Sequence, residues 1–442
     1  MGGLSHPVRL VPSAFLAAIV IGSALLMLPA SRVDDSTADL MPALFTSVSA
    51  VCVTGLTTVD TATYWTPFGQ AVILALVQVG GFGIMTLATM LGLLVGGRVG
   101  LRSMLVTQTE THTLDLGDIR AVLRRVAVTM VAVEAVLTVV LALRFRTAYD
   151  DSTATAAWHG LFHAVSAFNN AGFALYSDNL IGFVGDGWIM LPICLGVVAG
   201  GIGFPVLAEL FRQRRRPDHW SVHTRITVYG SLLLLAGGTA VFLGFEWANP
   251  ATLGPLAVDD KLVAGVTGGV MPRTAGFNSV DYADITPETM SVNYVLMFIG
   301  GGSAGTAGGI KVTTFFLLAF VIWAEVRGER DVVVGHRRVG AGAQRQALSV
   351  ALLGVAAVAT GTLLVLVLTD YSLDVVMFES ISAFATVGLS TGITPDLPPA
   401  AQSVLMGMMF VGRVGTITVA SALALRHRHR LYQLPEERPI VG

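Results

Sequence analysis

The chain has 442 residues, of which 53% are hydrophobic and 13% charged, with a mean hydropathy of +0.71. Soluble domains carry about 25% charged residues, so this composition places the chain in a lipid bilayer rather than among ordinary soluble enzymes. The formal net charge of −2 offers no basic surplus for nucleic acid, and Cys52 and Cys194, both inside apolar segments, build no disulfide framework or metal-ligand spacing.

In chain order, the first apolar run, 10–29, exceeds the roughly 7–15-residue core of a cleaved signal, and we read it as a retained spanning helix. Seven more long apolar runs follow, at 66–95, 122–143, 183–211, 222–247, 290–324, 347–369 and 401–425. Each is long enough to cross a hydrocarbon core of about 30 Å as a helix. Between the members of each successive pair lies a shorter apolar segment, at 40–52, 155–168, 258–271 and 373–384. A helix too short to cross must re-enter or lie in the interface.

Arginines set the expected orientation. Arg98, Arg102, Arg120, Arg124 and Arg125 separate the second and third long runs, Arg212, Arg214, Arg215 and Arg216 follow the fourth, Arg327, Arg330, Arg337, Arg338 and Arg345 separate the sixth and seventh, and Arg426, Arg428 and Arg430 follow the eighth. These alternate loops are expected to be cytoplasmic, together with both termini. The four short segments then fall on the opposite, acidic side, which also holds Arg32, Arg144 and Arg146, so the arginines give a bias rather than a clean split; carboxylates there raise the local cation concentration.

The short segments end alike: Ser49-Ala-Val-Cys-Val-Thr-Gly55-Leu, Ser166-Ala-Phe-Asn-Asn-Ala-Gly172-Phe, Val270-Met-Pro-Arg-Thr-Ala-Gly276-Phe and Ser382-Ala-Phe-Ala-Thr-Val-Gly388-Leu. Their glycines recur at close to a quarter of the chain. A second mark keeps the same register: the long run after each loop holds Gly80-Gly81, Gly200-Gly201, Gly300-Gly301-Gly302 or Gly412, between 24 and 28 residues after the loop glycine. Recurrence of two marks defines an internal repeat. We expect an all-α polytopic membrane protein of four pseudo-symmetric helix–pore helix–filter loop–helix repeats (1–110, 111–217, 218–340 and 341–442) around one central pore.

Such a design suits a cation. Backbone carbonyls can replace a hydration shell if an extended loop turns its oxygens to one axis, and glycine supplies the turning point. Non-helical backbone is tolerated at membrane depth where it lines a cavity. The inward C-terminal ends of the short helices would add partial negative charge. An ion-coupled carrier with inverted repeats, an intramembrane enzyme and the potassium-binding subunit of a pump are the competing readings. The first needs repeats of opposite orientation, the second clustered ionisable residues, and the third extra helices.

The four loops, with Gly300-Gly-Gly-Ser-Ala-Gly-Thr-Ala-Gly-Gly-Ile-Lys311 and Gly412-Arg-Val-Gly415, resemble those of the TrkH/KtrB/HKT potassium transporters along essentially the whole chain. Eight long runs without an extra N-terminal pair look more like KtrB than TrkH. The resemblance implies no enzymatic activity and K⁺ uptake across a bacterial plasma membrane, with Na⁺ as a possible activator and no organic cofactor. It also implies a homodimer seated on a cytoplasmic nucleotide-binding ring, KtrA. Its filter maps onto Val53-Thr54-Gly55, Asn170-Ala171-Gly172, Thr274-Ala275-Gly276 and Thr386-Val387-Gly388. Each loop has one glycine rather than two flanking a tyrosine, which implies a shorter, less stringent filter.

Several residues break membrane rules. Six glycines between Gly300 and Lys311 cost a helix about 1 kcal/mol each. The stretch lacks the adjacent Gly-Lys-Ser/Thr of a phosphate loop. By the resemblance it is an intramembrane gate comprising Gly300, Gly301, Gly302, Ser303, Gly305, Thr306, Gly308, Gly309 and Lys311. Arg413 lies about 18 Å from either end of the last run, too deep to snorkel, and is expected to face a wet cavity as a positive barrier paired with that gate. Glu379 is expected to brace Arg273. Glu134 has no nameable partner, and His159 and His163, one helical turn apart, lack a third metal ligand.

Overall fold

In a computed structural model the described residues are 7–34, 39–104, 116–150, 152–214, 216–335 and 337–415, without the side chains of 7–11, 90–104 and 116–119. Arg215, Arg426, Arg428 and Arg430 lie outside them, as does the end of the eighth run.

The architecture is almost wholly helical. The first quarter of the chain forms α1 (Pro7–Leu26), α2 (Leu40–Val51), the single turn α3 (Thr61–Tyr64) and α4 (Pro67–Met104). The second forms α5 (Leu116–Ala148), α6 (Thr153–Asn169), α7 (Gly187–Gly201) and α8 (Phe204–Gln213). Next come α9 (Val222–Glu246), α10 (Val258–Val270), α11 (Pro287–Phe298) and α12 (Val312–Val326), then a hairpin of β1 (Val333–Val334) and β2 (Arg337–Arg338). The last quarter forms α13 (Ala341–Leu368), α14 (Leu373–Ala385) and α15 (Pro399–Phe410), which runs into a π-helical turn, Val411–Gly415. Polar caps start several helices: Asp186 accepts from Trp188 N at α7, Ser221 from Thr224 N at α9, and Thr286 from Thr289 N at α11.

Four of these helices are unbroken and apolar enough to cross a membrane, over Pro67–Thr89, Arg120–Ala148, Val222–Glu246 and Ala341–Leu368. Only 22% of the apolar window of α13 is buried within the protein, and 28% of that of α5. Val128, Val131, Val136, Val139 and Leu143 of α5 are all more than half exposed. Apolar faces of this extent need lipid as their solvent, and the protein is a multi-pass membrane protein.

The eight expected spans are not eight straight helices. Run 183–211 is α7 and α8, bent by 101° at Ile202-Gly203. Run 290–324 is α11 and α12 with an irregular stretch between them. Run 401–425 leaves regular α-helix at Val411. All three interruptions coincide with the glycine clusters, where helix propensity is lowest.

Candidate functional site

The four short helices α2, α6, α10 and α14 each end in a loop with the same unusual backbone. The residue two before the loop glycine has a left-handed φ: Val53 at 55°, Asn170 at 59°, Thr274 at 72° and Thr386 at 50°. The glycines themselves lie at φ 94° (Gly55), 70° (Gly172), 75° (Gly276) and 95° (Gly388). A non-glycine residue in this region is uncommon. Four at one register mean that the surrounding structure imposes it.

These loops close into a ring. A Cβ on Gly55 would fall on the carbonyl oxygen of Ala171; one on Gly172 would lie 2.8 Å from Ala275 O. One on Gly276 would fall on Val387 O, and one on Gly388 on Thr54 O. Each glycine therefore sits against the carbonyl of the next quarter in chain order, and the fourth returns to the first. The carbonyls of Thr54, Ala171, Ala275 and Val387, and of Val53, Asn170, Thr274 and Thr386 beside them, accept no hydrogen bond among the described residues. Buried carbonyls are almost always paired, so eight unpaired ones on one ring call for a ligand.

Loop N–H groups, in contrast, are spent on the helices behind them. The serine six residues before the glycine does this work: Ser49 O accepts from Thr54 N at 2.8 Å, and Ser49 Oγ from Gly55 N at 3.0 Å. Ser382 repeats both contacts, with Val387 N at 2.8 Å and Gly388 N at 3.1 Å. Ser166 O accepts from Ala171 N at 2.8 Å, while its hydroxyl donates to Phe173 O at 2.8 Å. These N–H groups are thus taken up by the short helices, while the carbonyls beside them are left without donors among the described residues.

The second glycine mark also has a steric cause. A Cβ on Gly80 would strike Val51 O, one on Gly200 Phe168 O, and one on Gly412 Phe384 O, each the carbonyl four residues before a loop glycine. Helices α4 and α7, and the π turn that continues α15, thus pass hard against the C-terminal ends of α2, α6 and α14. In the third quarter no helix passes there; the Gly300–Lys311 stretch takes its place.

That stretch is tied on all sides. Ile299 and Ile310 form a parallel bridge. Gly302 N donates to Gly201 O at 2.8 Å, Thr306 N to Gly200 O at 3.1 Å, and Phe204 N to Ala304 O at 3.2 Å, so it fills the notch where α7 breaks into α8. Gly203 (φ 97°) makes that break, and a Cβ there would fall on Ser303 O. The signal was present in the sequence: Gly200-Gly201-Ile202-Gly203-Phe204-Pro205 clusters helix breakers inside an apolar run. Thr306 Oγ1 donates to Phe168 O at 3.0 Å and meets the Asn170 side chain at 3.0 Å. With the Asn170 amide nitrogen toward it, that amide also donates to Phe168 O and Val197 O. Gly308 N donates to Thr274 Oγ1 at 3.2 Å. Ser303 Oγ is 3.0 Å from Thr313 Oγ1.

Arg413, buried in the π turn, donates from Nη1 to Thr306 O at 2.5 Å. Lys311 Nζ donates to Ala307 O at 2.5 Å. Both cations thus lie against the interrupted stretch. Arg273 corrects the sequence reading: it donates to Gly300 O at 2.8 Å rather than pairing with Glu379. Glu379 instead accepts from Ser390 Oγ (2.7 Å), Thr391 N (2.8 Å) and Thr394 Oγ1 (2.8 Å), fastening the segment after Gly388. Hydroxyl and backbone donors, rather than a cation, are thus the partners of this side chain.

Glu134 gains the partners that sequence could not name. Its carboxylate accepts from Gln78 Nε2 at 3.0 Å and Asn169 Nδ2 at 3.1 Å, joining α4, α5 and the end of α6. His159 Nδ1 lies 2.9 Å from Tyr176 OH and 3.2 Å from Asp150. His163 accepts from Leu175 N at Nε2, bracing the loop beyond Gly172. No group of three or more metal-ligating side chains occurs among the described residues.

Comparison with known proteins agrees with this architecture. The family of TrkH cation transport proteins matches residues 3–430. The chain is 37% identical over 418 residues to the Ktr system potassium uptake protein B of Bacillus subtilis, covering 95% of this chain and 93% of that protein. It is 35% identical over 435 residues to the protein of the same name from Vibrio alginolyticus, covering 98% and 94%. The potassium/sodium uptake protein NtpJ of Enterococcus hirae is 31% identical over 444 residues, covering 99% and 97%. The crystal structure of the potassium transporter TrkH from Vibrio parahaemolyticus shares the fold, with a TM-score of 0.69 at 19% identity over 92% of this chain and 84% of that one. Transport, not catalysis, is what the family and these relatives are named for. By family match, by identity along nearly its full length and by fold, the chain belongs to the TrkH family of cation transport proteins.

Proposed function

We propose that the protein takes up potassium through the ring of glycine loops, with the carbonyls of Val53-Thr54-Gly55, Asn170-Ala171-Gly172, Thr274-Ala275-Gly276 and Thr386-Val387-Gly388 replacing the hydration shell of the ion. The observation that carries this reading is the set of donorless carbonyls at the contacts between successive quarters. Four loops around one axis present oxygens in number and orientation suited to a dehydrated monovalent cation. The potassium named in the relatives' titles supports the same substrate.

The Gly300–Lys311 stretch is the gate beneath this filter, held shut by Arg413 on Thr306 O and by the notch at Gly203. The Arg413 guanidinium and the Lys311 ammonium group beside the path oppose the passage of a cation until the stretch moves. The arginine-rich loops and both termini are cytoplasmic. The chain works as a homodimer with a cytoplasmic nucleotide-binding partner of the kind a Ktr system implies. Na⁺ stimulates uptake, in keeping with the potassium/sodium name of one relative.

Gly276→Ser, assayed for K⁺ against Na⁺ uptake in potassium-starved cells, tests the filter. A side chain at φ 75° that also meets Val387 O should disturb the ring and lower the K⁺/Na⁺ ratio by about tenfold, a difference of ~1.4 kcal/mol. An unchanged ratio at undiminished uptake removes Gly276 from the filter.

A further inference from the structure

We propose that the cleft between α5 and α8 seats the phosphate of an anionic phospholipid from the leaflet on the arginine-rich side. The cleft has a volume of about 400 Å³ and is lined by Arg124, Arg125, Val128, Phe204, Leu207 and Phe211, among others. This reading is independent of what the protein transports.

Three observations specify the occupant. The first is charge left over. Arg32, Arg144, Arg327 and Arg338 each meet a carboxylate, at Asp34, Asp186, Glu329 and Asp331. Arg124 and Arg125 have no such partner among the described residues. Glu209, the one acid on the facing helix, is already engaged by Ser221 N at 2.7 Å, Ser221 Oγ at 2.8 Å and Thr224 Oγ1 at 2.5 Å. Two guanidinium groups on one cleft favour a phosphate, which their planar forks recognise.

The second observation is what surrounds that charge. The remaining walls are mostly apolar, and Val128 and Phe211 are 62% and 73% exposed. A soluble anion has no use for such walls, whereas a phospholipid carries acyl chains beside its phosphate. Depth is the third. Arg124 and Arg125 fall in the second turn of the apolar span Arg120–Ala148, about 6–8 Å along its axis. That is where headgroup meets acyl chain, and where basic side chains hold anionic lipid. Phe204, which lines the cleft, also donates its N–H to Ala304 O, so the site shares a wall with the Gly300–Lys311 stretch.

Native mass spectrometry of the full-length protein, titrated with phosphatidylglycerol and with phosphatidylcholine, tests the site. Wild type should favour phosphatidylglycerol by about tenfold, and Arg124→Gln/Arg125→Gln should abolish the preference. Arg212→Gln/Arg214→Gln removes the same charge from outside the cleft and should keep the preference within about twofold. Ala208→Phe fills the cleft while leaving both arginines, and should lose it. The proposal is overturned if the Arg212/Arg214 variant loses as much, or if Ala208→Phe or the Arg124/Arg125 variant loses nothing. It is also overturned if glycerol phosphate competes as well as the lipid does, which would mark a soluble-anion site. Absence of any lipid preference in wild type, with the two arginines needed instead to retain an acidic protein partner, would assign the cleft to that partner.

Discussion

The third loop and its three counterparts reach one backbone shape by different means. In the first, second and fourth quarters a serine at the end of the short helix gathers the loop N–H groups, and a glycine of the following helix packs on the carbonyl just before the loop. The third has Val270 where the others have serine, and its following helix stops at Phe298 and resumes at Val312. Its support comes from Arg273 on Gly300 O and Thr274 Oγ1 under Gly308 N. In three quarters a serine of the short helix takes these N–H groups, while the third loop leans on the Gly300–Lys311 stretch, which is itself anchored to Gly200 O and Gly201 O of the second quarter. Left-handed φ at Thr274 and Gly276 is nonetheless the same as elsewhere. Loop shape follows from closing the ring, while the means of holding it can vary, and the quarter that varies is the one whose following helix is interrupted.

The comparison can be broken most directly at the glycines that seat α7 and α15. Gly200→Ala and Gly412→Ala place a methyl group on backbone oxygen, which cannot give way as a flexible side chain would, and overpacking of this kind costs about 1–3 kcal/mol. Gly407→Ala, with nothing within 4 Å, should be neutral or stabilising by less than about 1 kcal/mol. Thermal unfolding in detergent measures all three, and equal transition temperatures would remove close approach as the reason for the second glycine mark.

Next in size is Thr306→Val, which strips the donor from Phe168 O and the partner from Asn170. Leaving buried polar groups unpaired costs about 1–3 kcal/mol. If the interrupted stretch is the movable support, rubidium uptake should leak upward while the filter still prefers potassium. A fall in selectivity instead would place Thr306 in the filter's own support.

A smaller effect is expected from Ser382→Ala, about 1 kcal/mol for the lost partner of Gly388 N. In the third quarter Ala275 N donates to Met271 O, so the backbone half of the serine contact is already replaced there, and Val270→Ser can add at most the hydroxyl half, a bond to Gly276 N worth about 1 kcal/mol. Stabilisation by Val270→Ser beyond that figure would show that the third loop lacks the whole serine contact.

The smallest effect lies outside the ring. Asp60, in the segment after Gly55, accepts from Ser177 Oγ at 2.6 Å, Ala62 N at 2.9 Å and Thr63 Oγ1 at 2.9 Å. Partial burial raises its pKa, but these donors outweigh that and hold the carboxyl below its ordinary value. A depressed carboxylate contributes stability that is present above the unfolded pKa of about 3.9 and lost as pH falls through the folded value. Asp60→Asn should therefore cost up to about 1 kcal/mol at pH 7, and the gap in melting temperature should close in acid. A gap that persists below the folded pKa would assign Asp60 to packing.

Much of this was legible in the sequence because membrane constraints are local. A helix of 12 or 13 residues cannot cross, so α2, α10 and α14 announce themselves by length, and glycine recurrence marks the ends of all four short helices. What escaped were contacts between distant segments. Arg273 and Glu379 have opposite charge and similar depth, which suggests a pair. Yet each is satisfied by backbone or hydroxyl groups that no charge pattern reveals.

Residue order by itself determined that the chain lives in lipid, where it turns, and which backbone positions must be free of a side chain, since hydropathy, length and glycine spacing are properties of single segments. Tertiary structure alone decided that the four turns face one another, that α7 breaks to receive the Gly300–Lys311 stretch, and that Glu134 meets Gln78 and Asn169. Those outcomes depend on which carbonyl lies opposite which N–H once the helices pack, and sequence spacing carries no record of that distance.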